Sequence, residues 1–117
     1  MVGFSARTRQ SGSVTIVDVR GRFTLMEGQA LHELLADLFR DGRRKILLNF
    51  SDVAYLDSSG IGQLVRALYT AQRQEAELKI VEFNSRVREV LKLTNLHQML
   101  GEYPTEDAAL LSFLQGN

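Results

Sequence analysis

The chain has 117 residues, 44% of them hydrophobic and 24% charged, which suits one compact domain with a real core. Fourteen basic and fourteen acidic residues give a formal net charge of zero, which argues against nonspecific nucleic-acid binding. The absence of cysteine excludes disulfides and thiolate metal sites, and fits a reducing compartment.

Residues 1–13 contain no apolar run of the signal-peptide kind, and no stretch approaches the ~20 apolar residues needed to span a bilayer. No repeat, low-complexity tract or linker interrupts the chain. The expectation is a single domain over 1–117, soluble and cytoplasmic.

Phe4 to Arg9 reads as a first strand, and Gln10 to Ser13 as a polar turn. Val14 to Arg20 is β-branched and apolar, so it reads as a second strand paired with the first, with Gly21 breaking it. Thr24 to Phe39 reads as a helix: Leu31, Leu34, Leu35 and Leu38 recur at helical spacing, and Thr24 with Glu27 forms a capping box. Gly42 is placed to end it in a left-handed conformation. The basic cluster Arg40, Arg43, Arg44 and Lys45 reads as a complement to that helix's C-terminal dipole.

Lys45 to Phe50 is a short apolar run, expected as a central strand, with a loop from Ser51 to Asp57. Ser59 to Arg73 reads as a second amphipathic helix, with Ile61, Leu64, Val65, Leu68 and Tyr69 on one face. Leu78 to Phe83 reads as a strand. Ser85 is expected to cap a third helix with Val87, Val90, Leu91 and Thr94 on one face, and Thr105 a last one ending near Leu114. Alternating strands and helices after a hairpin predict a mixed α/β domain, with a sheet of four to five strands and helices packed on it.

Asp57-Ser58-Ser59-Gly60 falls where a strand's loop meets a helix N-terminus. Such a terminus offers unpaired N–H groups and partial positive charge, and can stabilise an anion. A phosphate on Ser58 would add about −1.5 to −2 charges there, beside Asp57. The plainer alternative is that Asp57 or Ser58 only caps the helix. No Walker-type phosphate loop and no G-x-S-x-G elbow occurs. His32 and His97 stand alone and read as surface histidines, and no set of residues has metal-site spacing. No catalytic residue, cofactor or metal is therefore expected. Phe23, Leu25 and Met26 read equally as core or as the apolar part of a partner surface.

Ile46-Leu47-Leu48-Asn49-Phe50, Val53 and Tyr55-Leu56-Asp57-Ser58-Ser59-Gly60-Ile61-Gly62 resemble the central signature of the STAS family, in its bacterial anti-sigma factor antagonist branch. Leu78 to Val81, Val87 to Leu96 and Thr105 to Ala109 are similar to its later elements, so the likeness covers nearly the whole chain. The resemblance implies a STAS fold and a binding module rather than an enzyme. It implies Ser58 as the phospho-acceptor, with Phe23, Thr24, Asp57, Ser59, Gly60 and Ile61 around it meeting the partner. It further implies that unmodified Ser58 permits capture of an anti-sigma factor that is also a serine/threonine kinase, and that a PP2C-type phosphatase resets the cycle. A scaffold subunit of a stress-signalling complex, or a cytosolic subunit of a lipid-transporting ABC system, are the other roles it implies. The chain departs from the pattern at Thr24, where relatives carry an acid, and at Arg22, which makes that rim more basic.

Overall fold

The computed structural model describes residues 3–81, 85–93, 95 and 102–115. Its elements run β1 (Phe4–Ser11), β2 (Val14–Phe23), α1 (Leu25–Arg40), β3 (Lys45–Leu56), α2 (Ser58–Arg73), β4 (Glu77–Val81), α3 (Ser85–Leu93), β5 (Glu102–Tyr103) and α4 (Glu106–Gln115). The five strands lie in sequence order across one sheet. β1 pairs antiparallel with β2, and every later pair is parallel.

Side chains alternate across a strand, so each strand feeds both faces of the sheet. On one face Val17, Val19, Ile46, Leu48 and Ile80 pack against Leu31 and Leu35 of α1, Leu64 and Leu68 of α2, and Leu91 of α3. On the other, Ile16, Leu47 and Val81 meet Ala109 and Phe113 of α4. β3 is buried on both faces, which is why Ile46 to Leu48 is an unbroken apolar run. Each buried Leu or Ile contributes roughly 1.5–3 kcal/mol of transfer free energy.

α4 covers only part of its face. It is fixed by Arg9, whose guanidinium bonds Asp18 at 2.7 Å and also pairs with Glu106. Lys79 holds it at the other end: the ammonium donates to Ser112 at 2.8 Å and lies 4.5 Å from the Phe113 ring centre and 5.4 Å from that of Tyr103.

Several boundaries differ from the sequence expectation. Gly21 does not break β2: it adopts φ +92 beside a register shift, and the strand bends there and continues to Phe23. A side chain at Gly21 would collide with the Gly3 carbonyl, so the bend depends on glycine. The segment expected as a loop, Ser51 to Leu56, is the second half of β3, pinned by buried Val53. α2 begins at Ser58, one residue earlier than its periodicity suggests, and Tyr69, expected on its packed face, lies at the edge of that face and is half-exposed. β5 is two residues long and carries no pattern of its own to read.

Other expectations hold. Gly42 has φ +85, and Arg44 donates to the Phe39 carbonyl at 2.9 Å, so the basic cluster does close the end of α1. The Thr105 hydroxyl accepts from the Ala108 N–H at 3.1 Å. Ser85, expected as the cap of α3, is instead its first helical residue. The calls on Glu82, Phe83, Thr94 and His97, and on the side chains of Val87 and Val90, lie outside the described residues.

Candidate functional site

β2 and β3 end as a pair, Phe23 against Leu56. The next residue on each strand caps a helix: Thr24 starts α1 and Asp57 starts α2. The two helix N-termini therefore emerge side by side from the carboxyl ends of parallel strands, where α/β sheets place their sites.

Asp57 is in extended conformation, and its carboxylate accepts from the Gly60 N–H at 2.9 Å. Its carbonyl takes the first helical bond, from the Ile61 N–H at 3.0 Å. The cap is thus aspartate, and neither serine serves as one. Ser58 and Ser59 are exposed, and no hydrogen bond of either hydroxyl occurs among the described residues. Gly60 is buried against the Phe23 carbonyl; a Cβ there would overlap that oxygen and stand 2.9 Å from Leu56 Cδ1.

On the neighbouring helix, Glu27 accepts from the Thr24 N–H at 2.9 Å and from the Thr24 hydroxyl. Those bonds hold the Glu27 carboxyl below its usual range. Leu25 and Met26 project into solvent, 47% and 74% exposed. Tyr55 is also half-exposed and carries the Arg22 guanidinium 5.0 Å from its ring centre. The α1–α2 seam is close at this end: a Cβ on Gly28 would overlap Gln63.

The residues expected to meet a partner thus divide. Ser58 and Ser59 are on the surface, while Thr24 and Asp57 are partly buried and engaged as caps. Phe23 is fully buried, edge-on to Phe50 with ring centres 5.0 Å apart, so it is core and its side chain reaches no partner. Gly60 and Ile61 are also buried and act by shaping the loop. Of the Phe23, Leu25 and Met26 trio, only the latter two are surface residues, because the side chain of Phe23 falls on the core side of β2. Nothing in the sequence marks Tyr55 as exposed; its exposure follows from its position near the end of β3.

His32 is not the plain surface histidine expected. Its Nδ1 is buried without a hydrogen-bond partner. Burial, and then the charge of Arg66, push its pKa down. Among the described residues no cluster of His, Asp or Glu could hold a metal ion, and no helix is long and apolar enough to cross a membrane.

The family model described as the STAS domain matches residues 5–109. A curated relative, the anti-sigma-B factor antagonist of Staphylococcus aureus (strain NCTC 8325 / PS 47), is 30% identical over 84 residues, 72% of this chain and 78% of that protein. The crystal structure of an anti-sigma factor antagonist from Mycobacterium paratuberculosis has a TM-score of 0.82 at 22% identity, covering 94% of this chain and 93% of that one. The Bacillus cell fate determinant SpoIIAA in its phosphorylated form has a TM-score of 0.69 at 15% identity, covering 91% and 96%. Both structures share the mixed sheet and flanking helices described above.

Proposed function

The chain belongs to the STAS domain family, and from that premise we propose that it is an anti-sigma factor antagonist switched by phosphorylation of Ser58. The observation that carries this reading is the division of labour in the loop. Asp57 caps α2, which leaves the Ser58 hydroxyl exposed and uncommitted at a helix N-terminus. The relative in Staphylococcus aureus bears the antagonist name, and a fold neighbour is known in a phosphorylated form.

The switch works without a change of fold. The unphosphorylated loop, together with Leu25, Met26 and Tyr55, offers a partly apolar surface. An anti-sigma factor that is also a serine/threonine kinase docks there, is sequestered, and releases its sigma factor. That kinase transfers the γ-phosphoryl group of its ATP to Ser58 Oγ, with ADP as the leaving group and the hydroxyl proton passing to the kinase's base. The added charge is tolerated by the first turn of α2 but is poorly paired against the partner. Such a mismatch costs several kcal/mol, a factor of hundreds or more in affinity. A PP2C-type phosphatase restores the binding form. In this cycle, set in the cytoplasm, the chain is substrate and ligand and needs no cofactor of its own.

Phosphopeptide mapping of the protein purified from its native cells, in growth and under stress, tests the reading. Phosphate on Ser58 with condition-dependent occupancy is expected. Ser58 unmodified under every condition, or phosphate on Ser59 alone, would overturn it.

A further inference from the structure

The solvent side of α2 carries Ser59, Gly62, Arg66, Tyr69 and Arg73. They follow one another at steps of three and four residues, so they form a single stripe along the helix. It is about 21 Å long at the α-helical rise, and starts next to Ser58. α2 contains no Asp or Glu. Among the described residues no carboxylate lies within ion-pair distance of Arg66 or Arg73.

Three acids of this region are engaged elsewhere. Asp57 holds the Gly60 N–H, Glu27 holds Thr24, and Asp37 pairs with Arg40. Glu33 on α1 and Glu75 just beyond α2 are exposed and make no ion pair among the described residues. The pKa of His32 is lowered first by its burial and then by the charges of Arg66 and, more weakly, Arg73. Beside the stripe, Arg73 shares a shallow groove with His32, Thr70, Ala36 and Phe39, the last two giving it an apolar floor. Tyr69, half-exposed, stands between the two arginines.

We propose that this stripe is the docking track for an acidic, amphipathic helix of the protein partner. Its carboxylates meet Arg66 and Arg73, and its apolar residues meet Tyr69 and the groove. The inference rests on the reading above, in that the partner meeting Ser58 is taken to extend along the helix that Ser58 begins. Two guanidiniums about two helical turns apart match carboxylates spaced along a helix. They are too few for a nucleic-acid backbone, which carries a charge at every nucleotide.

The test needs neither the natural partner nor any change at Ser58. The full chain, isotope-labelled, is titrated by NMR with an acetylated helical peptide of Glu, Ala and Leu about twelve residues long. Its Lys-for-Glu counterpart and a single-stranded oligonucleotide of equal charge are titrated in parallel. The expected result is saturable shifts centred on Arg66, Tyr69 and Arg73 with the acidic peptide. Affinity should fall at least about threefold in the Arg66→Gln/Arg73→Gln variant and again on raising salt from about 0.05 to 0.3 M. An Arg66→Glu/Arg73→Glu variant should transfer the preference to the lysine peptide. Shifts centred elsewhere, an equal response to both peptides, indifference to the variants, or tighter binding of the oligonucleotide would each overturn the track. Failure here leaves the phosphorylation reading standing, and absence of phosphate from Ser58 leaves these titrations unaffected.

Discussion

The α-carbon of Gly60 packs against the carbonyl oxygen of Phe23 with no room for a Cβ between them. The contact joins the first turn of α2 to the end of β2, and so sets the height of the serine loop above the sheet. Gly60→Ala should gain a little helix propensity but force the two backbones apart. A net loss of about 1–3 kcal/mol is expected, the usual cost of overpacking. Urea denaturation of the variant checks it, and an unchanged midpoint would show that the loop gives way freely.

Ser58→Ala and Ser58→Asp should both fold, each within about 0.5 kcal/mol of wild type, because the position is exposed and a negative charge suits the start of a helix. They should part in function. Ser58→Ala retains partner binding, while Ser58→Asp weakens it by at least about tenfold, or about 1.4 kcal/mol. Calorimetric titration with the cognate anti-sigma factor measures this. Equal affinity of both variants would remove the switch.

Arg9 bonds Asp18 and thereby holds the Asp18 carboxyl below its usual range. A carboxyl depressed in the folded state adds stability above its unfolded pKa of about 3.9, and that stability is lost as pH falls through the lower folded value. Asp18→Asn should therefore be less stable than wild type at pH 6, and the gap should narrow as the pH approaches 2. Denaturation midpoints of the two proteins across that range give the comparison.

His32 behaves with the same sign in a different window. Burial, with Arg66 and Arg73 nearby outweighing Glu33, lowers its folded pKa below the unfolded value of about 6.5. The unfolded chain thus binds a proton that the folded one resists, and stability falls as pH drops below about 6.5. His32→Gln should flatten the decline of the melting temperature between pH 7.5 and 5. A parallel decline in both proteins would show that the ring's surroundings relax on protonation.

Much of the frame is readable from residue pattern alone. The four-residue spacing of Leu31, Leu35 and Phe39, and the nearly unbroken apolar run of Val14 to Val19, report one-sided and two-sided burial directly. The capping boundaries at Thr24 and Thr105 follow from side-chain chemistry that works over three residues. What could not be read was long-range. Ser51 to Leu56 looks like loop because its polar residues face solvent, yet pairing with Arg20 to Phe23 makes it strand. β5 exists only because β4 offers it an edge. At the site, the motif identified Ser58, but only the sheet's register separates buried Phe23 from exposed Leu25 and Met26. The arginine stripe on α2 is not legible, because Tyr69 in its middle passes for a packed residue until its exposure is seen; nor does the sequence tell that Asp57, Glu27 and Asp37 are engaged elsewhere.

The tie between Arg9 and Glu106 spans 97 positions of sequence. Closing so large a loop is entropically unfavourable until most of the domain has formed, so α4 should dock late, after the β1–β2 hairpin and the α1–α2 pair have condensed. Glu106→Gln should therefore speed unfolding while leaving the refolding rate almost unchanged, as seen in the two arms of a stopped-flow chevron. The last helix then acts as a bolt shot home at the end of folding, governing how long the native state survives more than how quickly it is reached.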